Sequence, residues 1–101
     1  MSAKVLPPEE IQNRLPSIAG WNFDSNSLKR QLVFKDFRGA VSFLVLIAFD
    51  AEEADHHPGV TINYKRLNFS LSTHSEGGVT EKDFALAAKI NAAFESKRWG
   101  V

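Results

Sequence analysis

The segment FRGAVSFLVLIAFDAEEADH, residues 37–56, constrains the fold more than any other part of the chain. Inside it runs Phe43–Phe49, seven consecutive apolar residues. Such a run alone would suit a buried strand. Its flanks decide for a helix: the whole segment is about 18 residues, rich in Ala, Leu and Glu, with no turn signal inside. Asp36 stands where an N-cap belongs. On a helical wheel Leu44, Val45, Leu46 and Ile47 point in every direction, and a helix apolar all round must be covered on more than one side. A sheet covers one side. A chain of 101 residues is one domain, here residues 1–101, with surface enough for a single core. The second cover is therefore expected from another copy of the chain. The sequence predicts a homodimer or homotetramer formed through the helix around Phe43–Phe49.

The remaining segments supply that sheet. Pro7-Pro8-Glu9-Glu10 reads as the start of a short helix anchored by Ile11 and Leu15 and stopped at Pro16. Trp21 and Phe23 alternate with polar residues, and Asp24-Ser25-Asn26-Ser27 is a turn cluster. Leu28, Leu32 and Phe34 then fall on one strand face, with Arg30 the odd member of the row. After the long helix, Val60, Ile62 and Tyr64 alternate, as do Leu67, Phe69 and Leu71. A turn at Lys65-Arg66 would pair Tyr64 with Leu67, Ile62 with Phe69 and Val60 with Leu71. Gly77-Gly78 breaks the chain. Thr80-Glu81-Lys82-Asp83 reads as a capping box with Asp in the Glu position. Phe84, Ala87, Ile90 and Phe94 form the stripe of a last helix running to about Lys97. The order α-β-β-α-β-β-α predicts an α+β fold, a four-stranded antiparallel sheet with three helices on one face.

Composition excludes several function classes. Twelve basic and twelve acidic residues cancel, so no basic surplus points to direct nucleic-acid binding or an anionic membrane. With no cysteine there is no thiolate nucleophile or zinc knuckle, which fits a reducing cytoplasm. MSAKVLPPEE has no apolar stretch of a secretory signal. Seven apolar residues fall far short of the roughly 20 that cross a bilayer.

All three histidines lie between positions 56 and 74. Proline restricts the residue before it, so His57 is extended and points away from His56. If the third and fourth strands pair, His74, at the end of the fourth, returns to the end of the sheet where His56 and His57 lie. The Asp83 end of the last helix returns there too. The topology thus gathers Asp55, His56, His57, His74 and Asp83. Taken singly, each has a plainer role: a solvated helix exit for the histidine pair, a loop residue for His74, a cap for Asp83, a solvated helix face for Glu52 and Glu53. Convergence favours a site. Imidazole titrates nearest neutrality, and two of them facing one substrate can donate and accept protons in turn. A metal site is the nearest rival, but adjacent histidines rarely aim at one ion and no i, i+4 pair exists. Asp55-His56-His57 also matches the motif that names the DHH phosphoesterases, whose further Asp motifs are missing here. No glycine-rich phosphate loop is present.

AEEADHHP, the 18-residue step from His56 to the histidine of THSEGGVTEKD, Gly20-Trp21, and Phe34-Lys35-Asp36-Phe37 together have a counterpart. Over nearly its whole length the chain resembles the pterin-4a-carbinolamine dehydratases. The resemblance implies an α+β subunit assembling as dimers or tetramers. It implies dehydration of 4a-hydroxytetrahydropterin to quinonoid dihydropterin, which recycles the tetrahydrobiopterin-type cofactor of an aromatic amino acid hydroxylase, in the cytoplasm and with no metal or cofactor. By motif position His56 and His74 would be the acid–base pair, and His57 would bind and orient the pterin. Glu52, Asp55, Thr73 and Asp83 would shape the site. One departure concerns the pocket: some members carry an aromatic residue two positions after the proline, where this chain has Val60. The alternative is a non-enzymatic interaction module, because animal members also serve as dimerisation cofactors of a homeodomain transcription factor through the long-helix surface.

Overall fold

The structure, a computed structural model, describes residues 4–96. The elements run α1 (Pro8–Arg14), a 3-10 turn (Leu15–Ser17), β1 (Asn22–Asp24), β2 (Ser27–Val33), α2 (Phe37–Ala54), β3 (Gly59–Asn63), β4 (Arg66–Leu71) and α3 (Glu81–Ser96). This is the expected order, in an antiparallel sheet arranged β1-β2-β4-β3. The predicted C-terminal boundary at Lys97 lies outside the described residues.

The two long helices begin where the sequence says. Asp36 caps α2, its Oδ1 accepting from the Gly39 amide at 2.8 Å. Thr80 and Asp83 form the expected capping box ahead of α3. The Thr80 amide donates to Asp83 Oδ2 at 2.9 Å, and Thr80 Oγ1 accepts from the Lys82 amide at 3.2 Å. Ser25 and Asn26 both take positive φ, 51° and 61°, closing the β1–β2 hairpin with the primed geometry that matches strand twist.

The second hairpin departs from expectation. Its turn is Tyr64-Lys65, and Ile62 pairs with Leu67 and Val60 with Phe69. The true register is two residues away from the one the alternation suggested. A two-residue shift leaves every side chain on its own face, so the pattern cannot distinguish the two. Tyr64 sits at φ 54° and is exposed, and the turn is held to the sheet by the Phe34 amide donating to the Lys65 carbonyl at 2.8 Å.

Leu28 and Leu32 of β2, with Leu67, Phe69 and Leu71 of β4, form the covered face of the sheet. Ala40, Phe43, Ile47 and Ala51 of α2, at helical spacing, and Phe84, Ala87 and Ile90 of α3 close over it. Phe34, Phe43 and Phe94 join edge to face or tilted, with centroids 5.3–5.9 Å apart. Arg30, the odd member of the β2 row, reaches Asn91 Oδ1, which also accepts from Trp21 Nε1 at 2.8 Å. The alternate rows, including Lys29, Gln31, Asn68 and Ser70, line an open groove on the sheet.

Candidate active site

The site forms where α2 ends. Asp55 adopts the left-handed conformation, φ 51°, a helix C-terminal geometry that Asp tolerates better than most residues. This turn swings His56 off the helix while its amide still donates to the Ala51 carbonyl at 3.0 Å. The His56 ring thereby reaches α3, where Nε2 lies 2.6 Å from Oδ1 of Asp83.

Asp83 is fully buried, and its partners account for its oxygens. Oδ2 accepts from the Thr80 amide and from Thr73 Oγ1, both at 2.9 Å. Thr73 spends its one hydroxyl proton there, so at 2.7 Å Thr80 Oγ1–H must donate to Thr73 Oγ1. A carboxylate held this way by donors leaves Oδ1 to accept from His56 Nε2–H. That bond sets the tautomer of the neutral ring: the proton sits on Nε2 and the lone pair on Nδ1. Such a buried, fully partnered network fixes the ring orientation.

His57 is paired too, but in water. Its Nε2 lies 2.6 Å from Glu52 Oε1, with the two side chains 56% and 77% exposed. A contact so solvated contributes little to stability. His74 stands on the turn that follows β4. The strand itself ends at Leu71, three residues earlier than the sequence suggested, and a bridge between Thr73 and Gly78 closes the turn. The His74 ring is exposed and makes no hydrogen bond to another described residue. Its neighbour Thr73 ties the turn to Asp83, and through it to His56. The carboxylate of Asp55 is exposed and bonds no described residue; its backbone makes the left-handed turn.

The α3 end of the site is braced from outside. Arg14 closes a fork on Glu81, Nη1 to Oε1 at 2.5 Å and Nη2 to Oε2 at 2.7 Å. Its guanidinium lies 4.5 Å from the centroid of the Phe84 ring. Hydrogen bonding to Arg14 holds the Glu81 carboxyl below its ordinary range, and the same bond raises Arg14. Glu81 opens the helix turn that carries Asp83.

Two of the residues now visible at the site escaped the sequence reading. Lys82 and Lys89 line a small cleft with His56. Only their i, i+7 spacing on the helix that carries Asp83 signalled it. Among the described residues no group of three or more His, Asp or Glu side chains is arranged to hold a metal ion. No helix among them is long and apolar enough to cross a membrane.

Fold and site together define a single-sheet α+β protein that presents carboxylate-paired imidazoles at one end of its long helix. Residues 4–93 match the family model described as pterin 4 alpha carbinolamine dehydratase. A relative from Sulfolobus acidocaldarius is 51% identical over 86 residues, 85% of this chain and 94% of that one. One from Roseiflexus castenholzii is 42% identical over 89 residues, 88% of this chain and 96% of the other. Both carry the provisional name pterin-4-alpha-carbinolamine dehydratase. A crystal structure from Brucella melitensis, described as a transcriptional coactivator/pterin dehydratase, superposes with a TM-score of 0.86 at 38% identity, covering 89% of this chain and 98% of that one. The chain belongs to the pterin-4a-carbinolamine dehydratase family.

Proposed function

We propose that the protein dehydrates 4a-hydroxytetrahydropterin to quinonoid dihydropterin and water, with His56 and His74 exchanging the protons. The observation that carries this reading is the 2.6 Å contact between His56 Nε2 and the buried Asp83, in a chain of this family. With its Nε2–H committed to Asp83, neutral His56 offers Nδ1 as a base. It takes the proton from the pterin ring nitrogen next to the hydroxylated carbon. The electron pair left on nitrogen forms the new double bond as the carbon–oxygen bond breaks. The leaving hydroxyl takes a proton from His74 and departs as water. His56 now carries the proton that His74 has lost, and exchange through solvent restores both. The step is redox-neutral, and its atoms balance without a further reactant. Asp83 stabilises the imidazolium as it forms. His57, on its exposed Glu52 partner, binds and orients the pterin; Glu52 and Thr73 support this arrangement, and the backbone turn at Asp55 aims it.

This activity places the protein in recycling of a tetrahydrobiopterin-type cofactor, downstream of an aromatic amino acid hydroxylase, in the cytoplasm. Assembly is the second part of the proposal. Phe37, Val41, Val45 and Phe49 recur every four residues along α2, are 52%, 37%, 53% and 72% exposed, and lie away from the buried Phe43 and Ile47. Soluble monomers seldom leave such a stripe uncovered. It suits a second copy of the chain packed helix to helix, as a dimer or tetramer. The same stripe is what a role as interaction module would use. Stopped-flow spectroscopy with freshly generated carbinolamine tests the enzymatic reading. Quinonoid dihydropterin should appear faster than in buffer, in proportion to enzyme concentration. A rate indifferent to added protein would leave only the interaction module.

A further inference from the structure

Next to His56 lies a cleft of about 110 Å³, lined by Ala54, His56, Lys82, Ala85, Leu86 and Lys89. Ala54 is the last residue of α2. The other helical members stand at i, i+3, i+4 and i+7 along one side of α3. The volume decides what could enter. Pockets that enclose a whole ligand are typically about 300–1,000 Å³, so this cleft suits a substituent and not a two-ring heterocycle. Its chemistry is one-sided. Ala54, Ala85 and Leu86 offer no polar side-chain atom. Lys82 and Lys89 offer two ammonium groups on flexible stems, rooted about 10 Å apart along the helix. Neither ammonium is in an ion pair with a described carboxylate. The nearest carboxylate in the catalytic network, Asp83, is turned inward onto Thr73, Thr80 and His56 and is fully buried. The complement of an apolar floor flanked by two cations is an anion with several acceptor oxygens on a short carbon stem.

We infer that this cleft is a subsite for an anionic group carried on the side chain of the pterin, with Lys82 and Lys89 as the specificity-determining residues. The inference rests on the pterin reading above and extends it to the substrate class: a pterin whose C6 side chain ends in a phosphate or carboxylate. The reacting ring then lies outside the cleft, on the Nδ1 side of His56, and the anion fixes its direction. Two partly exposed charge pairs together give about tenfold in affinity, weakening as salt screens them.

Equilibrium binding separates this subsite from catalysis. Two stable aromatic pterins, identical except that the C6 side chain ends in a phosphate monoester or a free hydroxyl, are titrated against quenching of pterin fluorescence. The wild-type protein should bind the phosphate form about tenfold more tightly at low salt. In the Lys82→Met/Lys89→Met double variant, folded by circular dichroism, and in the wild type at high salt, the ratio should fall to about one. Equal affinity of the wild type for both pterins, or a preference that survives the double substitution, would overturn the inference. Binding of neither pterin, with no dehydration of a neutral carbinolamine, would instead sink the pterin reading itself and this subsite with it.

Discussion

His56 Nε2 stands 2.6 Å from Oδ1 of Asp83, 27 residues further along the chain: one follows the left-handed exit of α2, the other lies in the first turn of α3. Asp83 is at once the cap of its own helix, the acceptor for Thr73 and the anchor of the imidazole. One carboxylate thus couples helix initiation to ring orientation.

Replacing it tests that coupling. Asp83→Asn keeps the shape but puts an amide donor where two or three donors already converge. It should lower kcat by about 10²–10⁴, the worth of a correctly positioned acid or base. It should also cost about 1–3 kcal/mol of stability through the mispaired buried groups. Chemical denaturation and single-turnover kinetics read the two effects separately. Wild-type turnover in this variant would mean that the His56 tautomer does not matter.

The three histidines should divide by kinetic parameter. His56→Ala and His74→Ala should each lower kcat by about 10²–10⁴. His57→Ala, which removes a solvated ring bonded, among the described residues, only to Glu52, should act mainly on KM. A His74→Ala variant with undiminished kcat would remove the proposed acid.

Along α2 the two faces should respond oppositely. Ile47, fully buried, should cost about 2–5 kcal/mol when cut to Ala. Val45→Glu or Phe49→Glu, on the exposed stripe, should leave the circular dichroism of the subunit intact and shift its sedimentation to that of a monomer. Leu46 lies at the margin of that stripe, and Leu44 is half-buried. A wild-type protein that already sediments as a monomer at micromolar concentration contradicts the assembly proposal.

Acid should weaken the fold through two helix starts. The Gly39 amide and Arg38 hold the Asp36 carboxyl below its ordinary value, and Arg14 does the same for Glu81. A carboxyl whose folded pKa is depressed stabilises the fold at pH above its unfolded value. It loses that contribution as pH falls through the folded one. Thermal stability should therefore decline below about pH 4, the ordinary carboxylate range. Asp36→Ala, which removes one such group, should show a shallower decline. An identical acid slope in variant and wild type would refute the link.

Much of this is legible in the sequence. The flanks of the apolar run marked α2, and Asp36 and the Thr80–Asp83 spacing marked the starts of two helices. Hairpin topology alone brought Asp83 towards His56. What stayed hidden has physical reasons. Alternation of period two is blind to a two-residue register shift, so the Tyr64-Lys65 turn was missed, and a tyrosine at positive φ gives no turn signal. The left-handed backbone of Asp55, which ends α2, gives no signal in the sequence apart from the tolerance of Asp for that conformation. Lys82 and Lys89 look like a solvated helix face until the chain is folded and Ala54, at the end of α2, joins them in one cleft.

The central claim, metal-free proton transfer through His56, is tested most directly by one stopped-flow measurement. Wild-type protein and His56→Ala, both exhaustively chelated, are mixed with freshly generated 4a-hydroxytetrahydropterin. The chelated wild type should keep full dehydration activity, and the variant should lose about 10²–10⁴ of it. Activity lost on chelation and restored by zinc or iron, or an unimpaired His56→Ala, would contradict it.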